Sequence, residues 1–269
     1  MRRNLVASTM LALAIGATAL TAADGAHAQT QHQANGAHSK IAAYSVTAKV
    51  NKTELLVDNK VKIKATVQPA SAGSPVKLQL KYDDQKKWKT IDTGTLNNRG
   101  KVTFKDKISS VRTRKYRVLK PGDARIGTGH GDTEKVVVFG WRDLISLKAA
   151  TASSFGSTSS ASMNGVAYPN SLRTFTFTSP ANASIEFNLN RDCKAFRGTA
   201  GLEDGSTSNG TGSVTMATDG TQRYTGAFTL AQSAPVAFDV TKVFRLSITA
   251  TAADGGIAAV GTPQVLCSF

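Results

Sequence analysis

Apolar and polar residues alternate along much of the chain, and this pattern predicts β-strands. In the first half the alternation is clearest at residues 44–50, 61–67 and 76–82. A period of two over four or more residues is typical of a strand that buries one face. Turn-forming residues separate these runs, for example at residues 97–100. About seven short strands of this kind predict an antiparallel sandwich of immunoglobulin-like type for residues 40–139.

The alternation continues in the second half, at residues 185–189, 214–216, 236–240 and 244–248. Stretches rich in Gly, Ser, Thr and Asn separate these runs. No segment keeps a helical period for three turns, so the whole chain is predicted to be all-β.

Charge divides the chain into two parts. Residues 40–140 carry 17 Lys and 5 Arg against nine acidic residues, a net charge of +13, whereas residues 141–269 carry a net charge of only +1. Each part has the size of an ordinary domain and can bury its own core. We therefore predict one basic domain at residues 40–139 and a second domain at residues 141–269.

The amino terminus has the features of a secretory signal peptide. Arg2 and Arg3 precede an apolar run that ends in the small-residue sequence Ala26-His27-Ala28. We expect cleavage after residue 28, a flexible polar leader at residues 29–39, no transmembrane anchor, and an extracellular protein associated with the cell wall. His32 and His38 in the leader are expected to be solvated.

Export places the two cysteines, Cys193 and Cys267, in an oxidising setting where disulfides persist. Two cysteines allow one intramolecular pair, which would attach the final strand to the sheet. Zinc would need about four ligands, and no His follows His130, so a disulfide is predicted rather than a metal site.

The lysines of the first half alternate with apolar residues, as in Lys60, Lys62 and Lys64. Exposed lysines can protect sheet edges from pairing with other chains. They can equally form a surface for an anionic cell-wall polymer, and both interpretations stay open at this point. Specific nucleic-acid recognition is not expected, because no helix for the major groove and no aromatic strand platform is present.

Residues 76–82 (VKLQLKY), 98–104 (NRGKVTF) and 113–119 (TRKYRVL) resemble the bacterial immunoglobulin-like or fibronectin-like modules of secreted actinobacterial proteins. The resemblance covers most of the first half. It implies that Trp88 and Tyr116 belong to the core and its corner.

The second half resembles the family called novel putative carbohydrate-binding module. The resemblance is carried by residues 164–168 (NGVAY), 184–189 (SIEFNL), 193–205 (CKAFRGTAGLEDG), 214–220 (VTMATDG) and 238–248 (FDVTKVFRLSI). It implies a galactose-binding-like jelly roll that takes a polysaccharide or glycan. The family often has a His shortly before the strand that matches residues 184–189, where this chain has Pro180.

A sugar site needs an aromatic face for the ring and fixed polar side chains for the hydroxyl groups. Several residues near predicted turns fit this description and are the candidate ligand-binding residues: Trp141, Tyr168, Arg197, Glu203, Asp204, Asp219 and Tyr224. Each also has a structural explanation, such as a hairpin turn at Asp219. Glu203 and Asp204 could in addition hold a structural calcium ion, although no dense acidic loop is present. No other cofactor is predicted.

No set of nucleophile, base and acid at catalytic spacing is present, so we predict that the protein is not an enzyme. The glycine-rich segment at residues 126–132 has no following helix, which excludes a phosphate-binding loop. The leading hypothesis is a secreted, non-catalytic protein that binds glycan through its second domain and is retained by charge through its first. The alternative is a structural or protein-binding surface module without a sugar ligand.

Overall fold

The computed structural model describes residues 42–175 and 181–269, and nearly all of them lie in β-strands or the turns between strands. The prediction of an all-β protein is confirmed. The predicted signal peptide and leader, at residues 1–28 and 29–39, and Pro180 lie outside the described residues. Within the described ranges, no helix has the length and apolar character needed to cross a membrane.

The first half contains two antiparallel sheets, with strand orders β1-β3-β6 and β5-β4-β7-β8. The strands of this half are β1 (Ser45–Val50), β2 (Glu54–Leu56), β3 (Lys60–Gln68), β4 (Pro75–Tyr82), β5 (Lys89–Thr95), β6 (Lys101–Lys107), β7 (Arg114–Lys120), β8 (Gly129–Asp132) and β9 (Val137–Asp143). The predicted alternation is visible in β3 and β4, whose apolar side chains are buried while the polar ones between them are mostly exposed. The immunoglobulin-like assignment of this half stays a prediction.

The apolar faces of these two sheets enclose one core, which includes Ile63, Leu78 and Tyr116. Tyr116 is fully buried and its hydroxyl donates a hydrogen bond to Asp106 Oδ2 at 2.7 Å, as its predicted role in the core requires. The same prediction is wrong for Trp88, which is only half-buried. Its ring lies 4.5 Å from the Arg117 guanidinium carbon, on the side of the sheet that faces away from the core.

The second half contains ten strands in two antiparallel sheets, with orders β10-β13-β18-β15-β16 and β11-β12-β19-β14-β17. These strands are β10 (Ala149–Ser153), β11 (Phe155–Met163), β12 (Val166–Thr174), β13 (Ala181–Asn188), β14 (Cys193–Leu202), β15 (Thr211–Thr218), β16 (Thr221–Thr229), β17 (Ser233–Asp239), β18 (Arg245–Ala253) and β19 (Ala258–Cys267). Phe187 and Ile248 from one sheet share a core with Phe196 and Val265 from the other. This is the sandwich that the jelly-roll prediction expected.

Strand β9 belongs to both halves. Its first residues pair in parallel with β2, and its last residues pair antiparallel with the end of β19. An ion pair between Lys194 Nζ and Glu54 Oε2, at 3.1 Å, also joins the halves. The predicted domain boundary near residue 140 therefore falls inside a strand. Each half nevertheless has its own core, and the division into two domains stays a prediction.

Cys193 and Cys267 form the predicted disulfide. They lie opposite each other on β14 and β19, with their Cα atoms 4.0 Å apart and 74 positions apart in the chain. The bond attaches the last strand to its neighbour inside the sheet.

The glycine-rich segment at residues 126–132 contains β8. No room is left for a side chain at Gly129, because Tyr44 packs against it.

Candidate functional site

The outward surface of the sheet β11-β12-β19-β14-β17 carries a groove at the point where β19 changes its partner. Ala259 and Val260 pair with β12, whereas residues 264–267 pair with β9. Between these two pairings lies a groove of about 630 Å³, which we call the seam groove. Its lining includes Tyr168, Arg197, Gly198, Gly261, Thr262 and Gln264.

One glycine keeps the floor of the seam groove low. Gly261 on β19 contributes no side chain to the outward surface, whereas Gly198 on β14 pairs with the core residue Val236 and lines the groove with its backbone. A Cβ atom at Gly261 would lie 2.5 Å from Cγ of Tyr168. The tyrosine ring therefore packs directly over the backbone of β19, and only glycine allows this approach.

Backbone conformation at the seam is unusual. Thr262 has a φ of +42°, and Asn170 on the adjacent β12 has a φ of +54°. A positive φ is common for Asn but is an outlier for a β-branched residue such as Thr. The Thr262 hydroxyl donates a hydrogen bond to the carbonyl oxygen of Pro169 at 2.8 Å, which fixes the bend. Strained backbone of this kind is concentrated at binding sites.

A chain of hydrogen bonds holds the polar side of the seam groove in place. Arg197 donates from Nε and Nη2 to Oε1 of Gln264, at 2.9 and 2.7 Å. Gln264 Nε2 donates to Asp143 Oδ1 at 2.7 Å, and Asn170 Nδ2 donates to Asp143 Oδ2, also at 2.7 Å. Arg197 has five N–H donors, so this arrangement orients its guanidinium and leaves donors for a ligand.

Trp141 extends the site along the same surface. It lies on β9 opposite Leu266, so it projects on the same side as Gln264, two residues away on β19. The guanidinium carbon of Arg197 lies 3.9 Å from the centroid of its ring. The indole is 38% exposed, which leaves an aromatic surface next to fixed N–H donors. This is the combination that recognition of a sugar ring requires.

The structure therefore brings together three of the seven candidate residues, Trp141, Tyr168 and Arg197. They come from three different strands: Trp141 from β9, Tyr168 from β12 and Arg197 from β14. That these residues bind a ligand stays a prediction. The other four candidates lie elsewhere, and each has a contact that gives it a structural role.

Glu203 and Asp204 follow β14. Glu203 Oε2 forms an ion pair with Arg173 Nη1 at 2.9 Å, and Asp204 Oδ2 accepts a hydrogen bond from the backbone N–H of Gly165 at 3.0 Å. Asp204 thus supports the turn between β11 and β12. A calcium ion needs six to eight oxygen ligands, and the neighbouring arginine disfavours a cation at Glu203. In the described ranges, no three His, Cys, Asp or Glu side chains form a metal-binding group.

Asp219 and Tyr224 belong to the hairpin formed by β15 and β16, in the opposite sheet. The Asp219 carboxylate accepts hydrogen bonds from the backbone N–H groups of Phe244 and Arg245, at 3.1 and 2.8 Å. These two bonds hold the pKa of Asp219 below its usual value. Tyr224 packs against the core, and burial raises its pKa.

Sequence reasoning missed the two glycines, Thr262, Gln264 and Asp143. Gly198 and Gly261 were visible as glycines inside strand-like segments, which often indicate a close approach of another group. The amide of Gln264 and the carboxylate of Asp143 gave no signal of their own. Their role depends on which strands are neighbours.

A second groove, of about 500 Å³, lies on the outward surface of the sheet β10-β13-β18-β15-β16. Its lining consists of Ser, Thr, Asn and Ala residues, and neighbouring hydroxyl groups bond to each other, as between Ser213 and Thr251 at 2.6 Å. No aromatic side chain lines it. The seam groove is therefore the better candidate for a sugar site.

Comparison with known proteins supports the resemblance of the second half to a carbohydrate-binding module. Residues 159–260 match the family model described as NPCBM/NEW2 domain, a segment that includes Tyr168 and Arg197. A comparison with curated proteins found no match.

Three examples follow from the solved structures that are similar to the chain. The first is CBM51 of Clostridium perfringens GH95 in complex with methyl-galactose, with 16% identity, coverage of 47% of this chain and 99% of that chain, and a TM-score of 0.39. The second is the M60 catalytic domain with the two CBM51 domains of ZmpB from Clostridium perfringens. Its identity is 10%, it covers 86% of this chain and 32% of that chain, and its TM-score is 0.39. The third is the secreted serine protease VesC from Vibrio cholerae. Its identity is 12%, the match covers 83% of this chain and 50% of that chain, and the TM-score is 0.31. At these scores, no residue role is transferred from them.

Proposed function

We propose that this protein binds a glycan through the seam groove and has no catalytic role of its own. The observation that carries the proposal is the position of Tyr168, Trp141 and Arg197 on one outward surface, with Arg197 oriented by Gln264. Aromatic rings pack against the C–H face of a sugar, and fixed N–H donors bind its hydroxyl groups. The match of residues 159–260 to the NPCBM/NEW2 domain supports the same ligand class.

We further propose that the protein acts outside the cell, at the cell wall. The predicted signal peptide and the disulfide between Cys193 and Cys267 support export. The basic first half would hold the protein near anionic envelope polymers, while the seam groove selects a neutral sugar. The proposal therefore predicts two kinds of binding: charge-based binding by the first half, which weakens with salt, and sugar binding in the seam groove, which does not.

The test is binding of the exported chain, kept oxidised, to a panel of soluble glycans at low and high salt. The full chain is needed because β9 pairs with both halves. We expect saturable binding to one sugar class that changes little with salt, because neutral hydroxyl groups are not screened. Replacing Tyr168 or Trp141 with Ala should weaken binding about tenfold, as expected for loss of a stacked aromatic ring.

Phe244→Ala is the matched control. Phe244 is also 38% exposed and also lies beside arginines, but it is not part of the seam groove. Its loss should leave glycan binding unchanged. If the folded chain binds none of the glycans at any salt concentration, the seam groove is not a sugar site. The structural or protein-binding alternative would then be the better explanation.

A further inference from the structure

Seven lysines project from the outward face of the sheet β1-β3-β6, and we call this surface the lysine face. Its members are exposed and alternate with buried or half-buried residues along the three strands. They are Lys49 on β1, then Lys60, Lys62 and Lys64 on β3, and finally Lys101, Lys105 and Lys107 on β6. Threonines, a serine and a glutamine occupy the other outward positions.

The strand register places lysines directly opposite each other. The Cα partners are Lys60 and Lys107, Lys62 and Lys105, and Lys49 and Lys64. Side chains of directly opposed residues project on the same side, with Cβ atoms about 5 Å apart. Like charges in this position destabilise a sheet. The fold therefore keeps three unfavourable pairs on one surface.

Protection of sheet edges does not explain these pairs. Protective lysines are needed on edge strands, where backbone groups have no partner. In this sheet, β3 is the central strand and both of its edges are paired. Nevertheless it carries Lys60, Lys62 and Lys64.

Acidic neighbours do not neutralise the lysine face either. The three strands contain one acidic residue, Asp106, and its carboxylate accepts the hydrogen bond from the buried Tyr116 hydroxyl on the core side. Among the described residues, one ion pair involves the lysine face, between Lys107 Nζ and Asp58 Oδ1 at 3.8 Å, and both side chains are largely exposed. The face thus carries a concentrated positive charge that favours an anionic ligand.

Two features restrict the class of anion that the lysine face would bind. The face holds no arginine, so it offers point charges rather than the forked donors that fix one geometry. It holds no aromatic side chain, whereas proteins that bind single-stranded nucleic acids stack bases on aromatic rings.

Charge spacing favours a linear polymer with one charge per several backbone bonds. Alternate lysines on β3 are about 6.6 Å apart, because each residue rises by about 3.3 Å. A 1,3-linked glycerol-phosphate chain has about six backbone bonds per charge, which at about 1.2 Å of advance per bond gives about 7 Å. A single strand of DNA also has about six backbone bonds per phosphate, and the spacing of about 3.4 Å per phosphate of a duplex strand is measured along the helix axis. The charge spacing therefore fits an extended polyphosphate chain in general, and the lack of aromatic side chains is what disfavours nucleic acid.

We propose that the lysine face binds a linear polyol-phosphate polymer of the cell envelope, without bases. The proposal deepens the retention part of the proposed function and does not depend on the seam groove. The polymer lies along β3, and its phosphates displace their counterions as they meet the lysine ammonium groups. No geometric selectivity among phosphate positions is required, which agrees with the flexible lysine side chains.

The experiment measures binding of the full chain to poly(glycerol phosphate) from 50 to 200 mM salt. The variant is Lys60→Gln, Lys62→Gln and Lys64→Gln combined. We expect its affinity at 50 mM salt to fall roughly 100-fold. The negative slope of log K against log salt should become shallower by about 2, because each lost phosphate contact removes about 0.7.

A matched control changes three exposed lysines outside the lysine face, Lys86, Lys87 and Lys148, to Gln. It removes the same net charge, and its affinity should stay within about threefold of the unaltered chain because long-range charge effects are screened. An equal loss in both variants would show that bulk charge binds the polymer, and would overturn the proposal.

Two further arms test the ligand class, using oligo-dT and polygalacturonate. Tighter binding to either of them than to poly(glycerol phosphate) would also overturn the proposal. Glycan binding is measured in the same samples. The Lys60, Lys62 and Lys64 variant should keep it, so failure of the lysine face and failure of the seam groove give different results.

Discussion

Removing lysines from the centre of the lysine face should stabilise the protein. The substitutions Lys60→Gln, Lys62→Gln and Lys64→Gln together eliminate all three directly opposed pairs. Glutamine keeps about half of the aliphatic stem of lysine and stays polar on an exposed strand. The change therefore tests charge repulsion with little change in packing.

The expected gain follows from the register. Opposed ammonium groups can separate to about 7 Å, where two like charges in water repel by about 0.6 kcal/mol. Screening leaves about 0.5 kcal/mol per pair at 10 mM salt and about 0.25 kcal/mol at 150 mM. Three pairs then give about 1.5 kcal/mol at 10 mM salt and about 0.75 kcal/mol at 150 mM. For a chain of this size, the melting temperature should rise by about 4 °C at low salt and about 2 °C at physiological salt.

The assay is thermal or urea unfolding of the oxidised chain at the two salt concentrations. The variant with Lys86, Lys87 and Lys148 changed to Gln is the control, because those exposed residues lie outside the lysine face. It should change the melting temperature by less than half as much. No stabilisation of the β3 variant at low salt, or the same gain in the control, would refute the argument from opposed charges.

Three other changes test the second half. Gly261→Ala should displace the tyrosine of the seam groove and weaken glycan binding at least about tenfold, whereas Gly205→Ala, where nothing lies within 4 Å, should leave titrations unchanged. Replacing both Cys193 and Cys267 with Ala should lower the free energy of unfolding by about 4 kcal/mol, since the bond closes a span of 74 positions, and a urea midpoint equal to that of the oxidised chain would contradict this. The pKa of Asp219 lies below its usual value, so its contribution to stability is present above about pH 4 and is lost as the pH falls below that. Asp219→Asn should therefore reduce the drop in urea midpoint between pH 5 and pH 2.5. An unchanged drop would contradict the assigned role of Asp219.

Local patterns predicted many of the strands and the buried positions of the clearest ones. A period of two specifies which residues of a strand share a face, and the apolar positions of β3 and β4 are buried as predicted. The core role that the family resemblance implied for Trp88 was wrong, because its ring packs on the outward surface of the sheet. There the ring contacts two cations, Lys81 and Arg117.

The candidate site was predictable only in part. Trp141, Tyr168 and Arg197 were recognisable as residues that suit a sugar, but so was Asp219, which instead binds backbone N–H groups. A carboxylate near a turn meets either a ligand or unpaired backbone donors, depending on which strand ends beside it. That neighbour is distant in sequence.

The sequence by itself determined the all-β class, the inward and outward positions along regularly alternating strands such as β3 and β4, the excess of positive charge in the first half and the single cysteine pair. These depend on local alternation, composition and count. Only the tertiary structure decided that β3 is a central strand with lysines opposed across it, and that β19 changes partners beside Tyr168 and Arg197. The physical reason is that hydrogen bonding between strands sets their order and register, and these bonds join residues far apart in the chain.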